Sequence, residues 1–247
     1  MSSKRVLVTG SSRGIGRRIA LHLAKEGWSV ATHYSKSETE CRSLVEELGA
    51  SASGMYKADM ADPSQMAPLF ESALADGEIH AVVNNAGVYA QQSFVNASDD
   101  GFLDDYRRLM AVNLESPVRL MRAATKHFAT QGGGKIVNIA SRVGFKGEAD
   151  ASIYAASKAA LINFVRSLAV ELAPQKIGIF GIAPGWVDTA MLRDGMDERL
   201  ASIIATLPLG RMAVDVDCAA ATAFLLSDGA AYLSGITIDI NGASYFH

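Results

Sequence analysis

A chain of 247 residues that is 49% apolar and 20% charged has the composition of a globular protein able to bury its own core, which excludes a disordered or fibrous polypeptide. A net charge of −3, with no basic run longer than a Lys-Arg or Arg-Arg pair, leaves no electrostatic footprint for nucleic acid, and no apolar run approaches the roughly 20 residues of a membrane helix. Cys41, Cys218 and the scattered histidines His22, His33, His80, His127 and His247 form no metal-ligand cluster, so the expectation is a cytoplasmic protein with idle or buried thiols and with no metal, nucleic-acid or membrane partner.

Short β-branched or apolar runs alternate with longer amphipathic stretches along the chain, which is the rhythm of βαβ units around a parallel sheet. The predicted strands are Arg5–Thr9, Ser29–His33, Gly54–Ala58, Ala81–Asn84, Lys135–Ala140, Ile177–Ile182 and Ile236–Ile240. The predicted helices include Ile15–Lys25, Ser64–Leu74, Tyr106–Thr130, Ile153–Ala173 and Val216–Leu226, and Asp62-Pro63 marks a helix start because Asp caps and Pro suits a first turn. With no linker or repeat, the reading is one doubly wound α/β domain of Rossmann type with a seven-stranded parallel sheet, spanning residues 1–247. Its longest irregular segment, about 185–208, is expected to be a substrate lid with one short helix.

Between the first strand and first helix stands Thr9-Gly10-Ser11-Ser12-Arg13-Gly14-Ile15-Gly16. Gly10 suits a tight turn, Gly14 lets a pyrophosphate approach the helix N-terminus, and Gly16 seats the helix against the sheet. A strand before and a helix after are the context that a dinucleotide-binding turn requires.

Farther along, Tyr154 and Lys158 lie four residues apart in a helical stretch and therefore share a face. A free phenol has a pKa near 10, and a neighbouring ammonium is expected to lower it, making Tyr154 a proton donor and acceptor at neutral pH. Ser141 follows the strand Lys135–Ala140, and strand carboxyl ends face the ligand crevice in such sheets.

The glycine turn, Asn84-Asn85-Ala86-Gly87, Asn113, Ser141, Tyr154-Ala155-Ala156-Ser157-Lys158 and Pro184-Gly185 occur in the order and approximate spacing of the short-chain dehydrogenase/reductase family, which the chain resembles along nearly its whole length. Within that family the pattern is similar to the bacterial 3-oxoacyl-acyl-carrier-protein reductases. The resemblance implies hydride transfer between a nicotinamide and a small carbonyl or alcohol substrate, with a tetrad of Asn113, Ser141, Tyr154 and Lys158. In that tetrad Ser141 bonds the substrate oxygen, Lys158 also grips the nicotinamide ribose, and Asn113 holds a water of the proton relay. Cofactor contacts are implied for Gly10, Ser12, Arg13, Gly14, Ile15 and Gly16. They are implied also for Asp59 and Met60 at the adenine, for Asn85, Ala86 and Gly87 at its ribose, and for Pro184, Val187 and Thr189 at the carboxamide. Larger epimerase and dehydratase relatives use another glycine spacing, and divergent enoyl reductases space Tyr and Lys more widely. A nucleotide-sensing protein on the same fold would tolerate losses in the tetrad, and none is lost here.

NAD-specific sites usually carry an acid at the end of the second strand, where this chain has Tyr34 followed by Ser35 and Lys36. These residues, with Arg13, suit a 2′-phosphate, so NADP(H) is the expected cofactor, although Lys36 also reads as a solvated loop residue. The family pattern further implies a homotetramer, packed through the long helices and the segment Ile236–His247. In the carrier-protein reductases, arginines before the fifth strand and after the Tyr-Lys helix dock the acidic carrier, and Gly132 and Gln175 stand at those places here. Substitute charge is available from Lys126, Lys135 and Lys176. Tyr89, Arg142, Phe145, Trp186, Met191 and Met196 are expected to border the substrate crevice, with Arg142 as its anion handle or a residue narrowing its entrance.

Overall fold

The computed structural model describes residues 3–189 and 197–247. Its seven strands are β1 (Arg5–Val8), β2 (Ser29–Tyr34), β3 (Ala52–Lys57), β4 (Ala81–Asn84), β5 (Gly134–Ile139), β6 (Ile177–Pro184) and β7 (Thr237–Ile240). They form one sheet in the order β3-β2-β1-β4-β5-β6-β7 with parallel neighbours throughout. The order reverses between β1 and β4, and a crevice at the carboxyl ends of the strands opens at such a reversal.

Alternating side chains bury both faces of the sheet. Leu7, Val82, Ile136 and Ile179 point to one layer, where they meet α3 (Met66–Ala75), α5 (Ser116–Gln131) and α6 (Ser152–Leu172) through Phe70, Phe128 and Val165. Val6, Val83, Val137 and Phe180 point to the other, against α1 (Gly14–Lys25), α2 (Glu38–Leu48) and α8 (Asp215–Leu226) through Ile19, Leu44 and Leu225. Cys41 and Cys218 are buried, and burial raises both thiols, Cys218 to about 12. By length and composition alone α6 could cross a membrane, yet Ile153, Leu161, Ile162, Val165 and Ala169 are buried in the protein.

Three local differences from the expected elements have physical causes. Strand β3 starts two residues before Gly54, because the pairing shifts between Val30↔Ala52 and Thr32↔Met55 and the extra residue is accommodated at Gly54, whose φ is +135°. The helix expected over Tyr106–Thr130 starts earlier and is interrupted. α4 (Asp99–Met110) is capped by Ser98 Oγ, which accepts from Gly101 N, and a π turn over Ala111–Glu115 joins it to α5. Asp62 caps a 3-10 turn at Pro63–Gln65 that leads into α3. Of the expected lid, residues 190–196, including Met191 and Met196, lie outside the described residues. The short helix expected there is α7 (Asp197–Ala205).

Candidate active site

The turn after β1 is held open by close backbone packing. Gly10 has φ +61°, and a Cβ there would meet Ala86 Cα at 3.0 Å. A Cβ on Gly16 would stand 2.3 Å from Asn85 Nδ2 and 2.4 Å from the Gly10 carbonyl oxygen, so helix α1 seats against the sheet only with glycine. Asn85 ties this region together, donating from Nδ2 to the Thr9 and Gly10 carbonyls at 2.9 and 3.1 Å. Its amide and that of Ala86 donate to Thr9 Oγ1. Asn84 bonds Asn138 at 2.9 Å inside the sheet, a structural role. Thr189 lies across the turn: a Cβ on Gly14, whose φ is +55°, would be 3.9 Å from Thr189 Cγ2. Val187 is buried and bridges to Ala213, which fixes the path of the chain after Pro184. Ser12 is buried, Ile15 is half-buried, and Arg13, the N-cap of α1, is exposed.

At the far end of this turn an open cleft of about 560 Å³ is lined by Tyr34, Ser35, Lys36, Glu38, Lys57, Asp59 and Gln65. Ser35 Oγ donates to Asp59 at 3.4 Å. The Met60 side chain is packed in the core, which leaves only its backbone to face a ligand. Lys57, Glu38 and Gln65 escaped the sequence reading. Lys57 is the register partner of Tyr34, a pairing hidden by the bulge at Gly54. Glu38 is ionised below the usual carboxylate range, chiefly because Arg42 bonds it at 2.6 Å, with a smaller contribution from the nearby Tyr34 phenol.

The tetrad converges one turn of chain away. Lys158 Nζ lies 5.8 Å from the Tyr154 ring centroid and donates to the Ile139 carbonyl at 2.8 Å. The Ser141 hydroxyl lies close enough to the Tyr154 phenol to favour its ionised form, and it caps the 3-10 turn Arg142–Gly144. Asn113 sits in the π turn, fully buried, with Oδ1 accepting from Val88 N and Nδ2 donating to Val88 O, both at 2.9 Å. Such turns recur at functional sites because they re-aim one residue of a helix. A Cβ on Gly87 would stand 3.3 Å from Asn113 Oδ1 and 3.5 Å from Lys158 Nζ, so both groups meet above that glycine.

The electrostatics correct one expectation. Tyr154 is pushed up to about 12, chiefly by burial, against the smaller downward pull of Ser141, and Lys158 is pulled down to about 8 by burial alone. The ammonium bonds Ile139 and lies over the ring face, not at the phenol oxygen, so it does not offset the desolvation of the phenolate. At neutral pH the phenol is thereby held protonated and uncharged, while Lys158 keeps most of its positive charge.

Arg142 has partners within the chain. It is not a bare anion handle: Nη2 pairs with Glu148 at 3.3 Å, Nη1 donates to Ser244 at 3.1 Å, and the guanidinium lies 5.8 Å from the Trp186 ring centroid. Tyr89 packs edge-on against Tyr154 with centroids 5.0 Å apart, and Phe145 stacks on His247 at 3.6 Å. Tyr89 thus contacts Tyr154 of the tetrad directly, whereas Trp186 packs on Arg142 and Phe145 on His247.

Residues 10–243 match the family described as enoyl-(acyl carrier protein) reductase. The chain is 37% identical over 243 residues to the 3-oxoacyl-acyl-carrier-protein reductase of Salmonella typhimurium, covering 98% of this chain and 97% of that protein. It is 34% identical over 246 residues to the enzyme of that name from Staphylococcus aureus, covering 98% of each. Among solved structures it superposes with a TM-score of 0.90 and 32% identity on a putative NAD(P)-dependent gluconate 5-dehydrogenase from Beutenbergia cavernae with bound NADP, covering 99% of this chain and 97% of that one. The same TM-score, at 33% identity and 98% coverage of each chain, relates it to a blue fluorescent protein from a metagenomic library in complex with NADPH.

Proposed function

The chain belongs to the short-chain dehydrogenase/reductase family, and from that premise we propose that it is an NADP(H)-dependent carbonyl reductase, reversible as an alcohol dehydrogenase, with Tyr154 as general acid and base. The observation that carries this reading is the meeting of Ser141, Tyr154, Lys158 and Asn113 beside a glycine turn that tolerates no Cβ at Gly16. That turn, faced by Thr189, and the cleft beyond Tyr34 have the openings and cations that a dinucleotide needs.

NADPH, when bound, supplies the hydride that reduces the carbonyl carbon. The Tyr154 phenol gives its proton to the carbonyl oxygen, and Ser141 Oγ holds that oxygen by a hydrogen bond. Burial keeps the phenol protonated, which readies it as an acid. Lys158, on the turn of α6 after Tyr154, would hold the nicotinamide ribose when the cofactor is bound. Asn113, pinned to Val88, completes the proton path.

A homotetramer fits the apolar surface left on the outer helices, where Leu103, Tyr106, Phe164 and Val170 are exposed, and beyond α8, where Tyr232, Ile236 and Phe246 are exposed.

The test is NADPH oxidation with a panel of ketones, comparing the protein with Tyr154→Phe. Turnover is expected to fall about 10²–10⁴-fold while NADPH affinity stays within a few fold. Retention of more than a tenth of kcat by the variant removes Tyr154 from the chemistry.

A further inference from the structure

Arg142 follows Ser141 directly, and its side chain is only 8% exposed. A buried guanidinium ordinarily saturates its donors, because each unpaired N–H costs the full desolvation of that group. Here Nη2 makes a single contact to Glu148 at 3.3 Å, long for a charge-assisted bond, which is usually 2.7–2.9 Å. Nη1 has only the neutral Ser244 hydroxyl, and Nε, buried, has no partner among the described residues. The group is nevertheless rigidly placed. Trp186 lies under its face, Ser244 fixes one nitrogen, and the loop that carries it is held by the Tyr245 hydroxyl on the Phe145 carbonyl at 3.1 Å and by the Phe145–His247 stack. Its counter-ion is the looser partner: the Glu148 side chain is 24% exposed, three times as open as Arg142.

Resting on the reductase reading above, we propose that Arg142 selects substrates bearing a carboxylate a few bonds from the reacting carbonyl: the guanidinium takes that carboxylate by a two-point contact while Glu148 turns out to solvent. The substrate class is then the short oxo acids and their hydroxy acids. Exchange keeps the buried site neutral, since one carboxylate replaces another, and it improves the geometry. A planar fork presenting Nε and Nη2 matches a carboxylate in two parallel bonds, whereas Glu148 offers one long bond. Glu148, the counter-ion of Arg142, is near enough to Tyr154 to act on its phenol, so the guanidinium lies within reach of a substrate held at Ser141 and Tyr154. A substrate gripped at both points has its carbonyl oxygen at Ser141 and Tyr154 and its anion at the next residue along the chain.

The proposal is tested by the ratio of kcat/KM for a short oxo acid to that for its methyl ester, with NADPH, on Arg142→Gln, Arg142→Lys and Glu148→Gln. The ratio cancels effects on cofactor, fold and the Tyr154 phenol that the two substrates share. Arg142→Gln is expected to lower it about 10–100-fold, mainly through KM, and Arg142→Lys to lower it less. Glu148→Gln, which removes the competing carboxylate, is expected to raise it. An unchanged ratio in Arg142→Gln, or a ratio that falls in Glu148→Gln, overturns the proposal. So does an Arg142 dependence found for an oxo phosphate ester in place of the oxo acid. Should Arg142→Gln fail to fold, Glu148→Gln decides alone. Turnover of the ester by the unaltered protein tests the reductase reading separately.

Discussion

The amide of Gly10 donates to Nδ1 of His33 at 2.9 Å, so a buried imidazole on β2 carries the turn that follows β1. The other ring nitrogen faces the Ala58 carbonyl at 3.1 Å, which makes Nε2 the protonated one and links three strands beneath the nucleotide crevice. Charging the ring would set a second N–H against that of Gly10. Burial pulls His33 down to about 4 from 6.5.

Acid should therefore loosen this turn. Below pH 6.5 the unfolded chain takes up a proton that the folded chain refuses until about pH 4, so stability falls with falling pH across that window. The full loss is roughly 3 kcal/mol, at 1.36 kcal/mol for each pKa unit. Urea unfolding at pH 7, 6, 5 and 4.5 measures it. His33→Asn, which cannot charge, should show a shallower slope. Equal slopes for the two proteins would contradict the assignment.

Alcohol oxidation should accelerate with pH. It needs the phenolate of Tyr154, and the phenol is held up near 12, so each unit of added pH raises the reactive fraction about tenfold until another step limits. Carbonyl reduction needs the protonated phenol and should not show that rise. Paired pH–rate profiles from 6 to 9 check both directions. A plateau in oxidation already at pH 7 would show that the phenol ionises far lower in the working enzyme.

Cofactor choice should favour NADPH. Lys36 and Lys57 border the cleft past Tyr34, Arg13 is exposed at the glycine turn, and the Glu38 carboxylate that lines the same cleft is tied to Arg42. Arg13→Ala and Lys57→Gln are each expected to lower kcat/KM with NADPH about tenfold, and with NADH much less. Equal or better kcat/KM with NADH in the unaltered protein would defeat the expectation.

An acyl carrier protein should be a poor substrate carrier for this enzyme. Gly132 closes α5 with φ +87°, Gln175 is neutral, and the Lys135 ammonium is occupied by the Leu226 and Ser227 carbonyls, which leaves Lys126 and Lys176 exposed. Gln175→Arg should raise kcat/KM on a carrier-bound thioester in a manner that fades with salt. Arginine at Gly132 would instead strain left-handed backbone. A carrier thioester already strongly preferred over small ketones by the unaltered protein, and losing that preference in salt, would show that docking survives.

The order of strands and helices, the glycine turn and the four residues of the tetrad were legible in the sequence because each depends on local pattern. Short apolar runs between amphipathic stretches mark strands covered on both faces, a glycine is needed wherever a Cβ has no room, and an i,i+4 spacing puts Tyr154 and Lys158 on one face of α6 without knowledge of any neighbour. Family motifs added the roles of Ser141 and Asn113. What stayed hidden depends on residues far apart in the chain. The bulge at Gly54 decides that Lys57 lies beside Tyr34, and a π turn buries Asn113 where helix periodicity gave no reason to expect it. Burial reversed the expected shift of Tyr154, because desolvation is a property of all the atoms packed around the ring and outweighs one ammonium held against Ile139. Only the folded chain brings Glu148, Trp186 and Ser244 to Arg142, so whether that cation is free or paired was decided by tertiary contact.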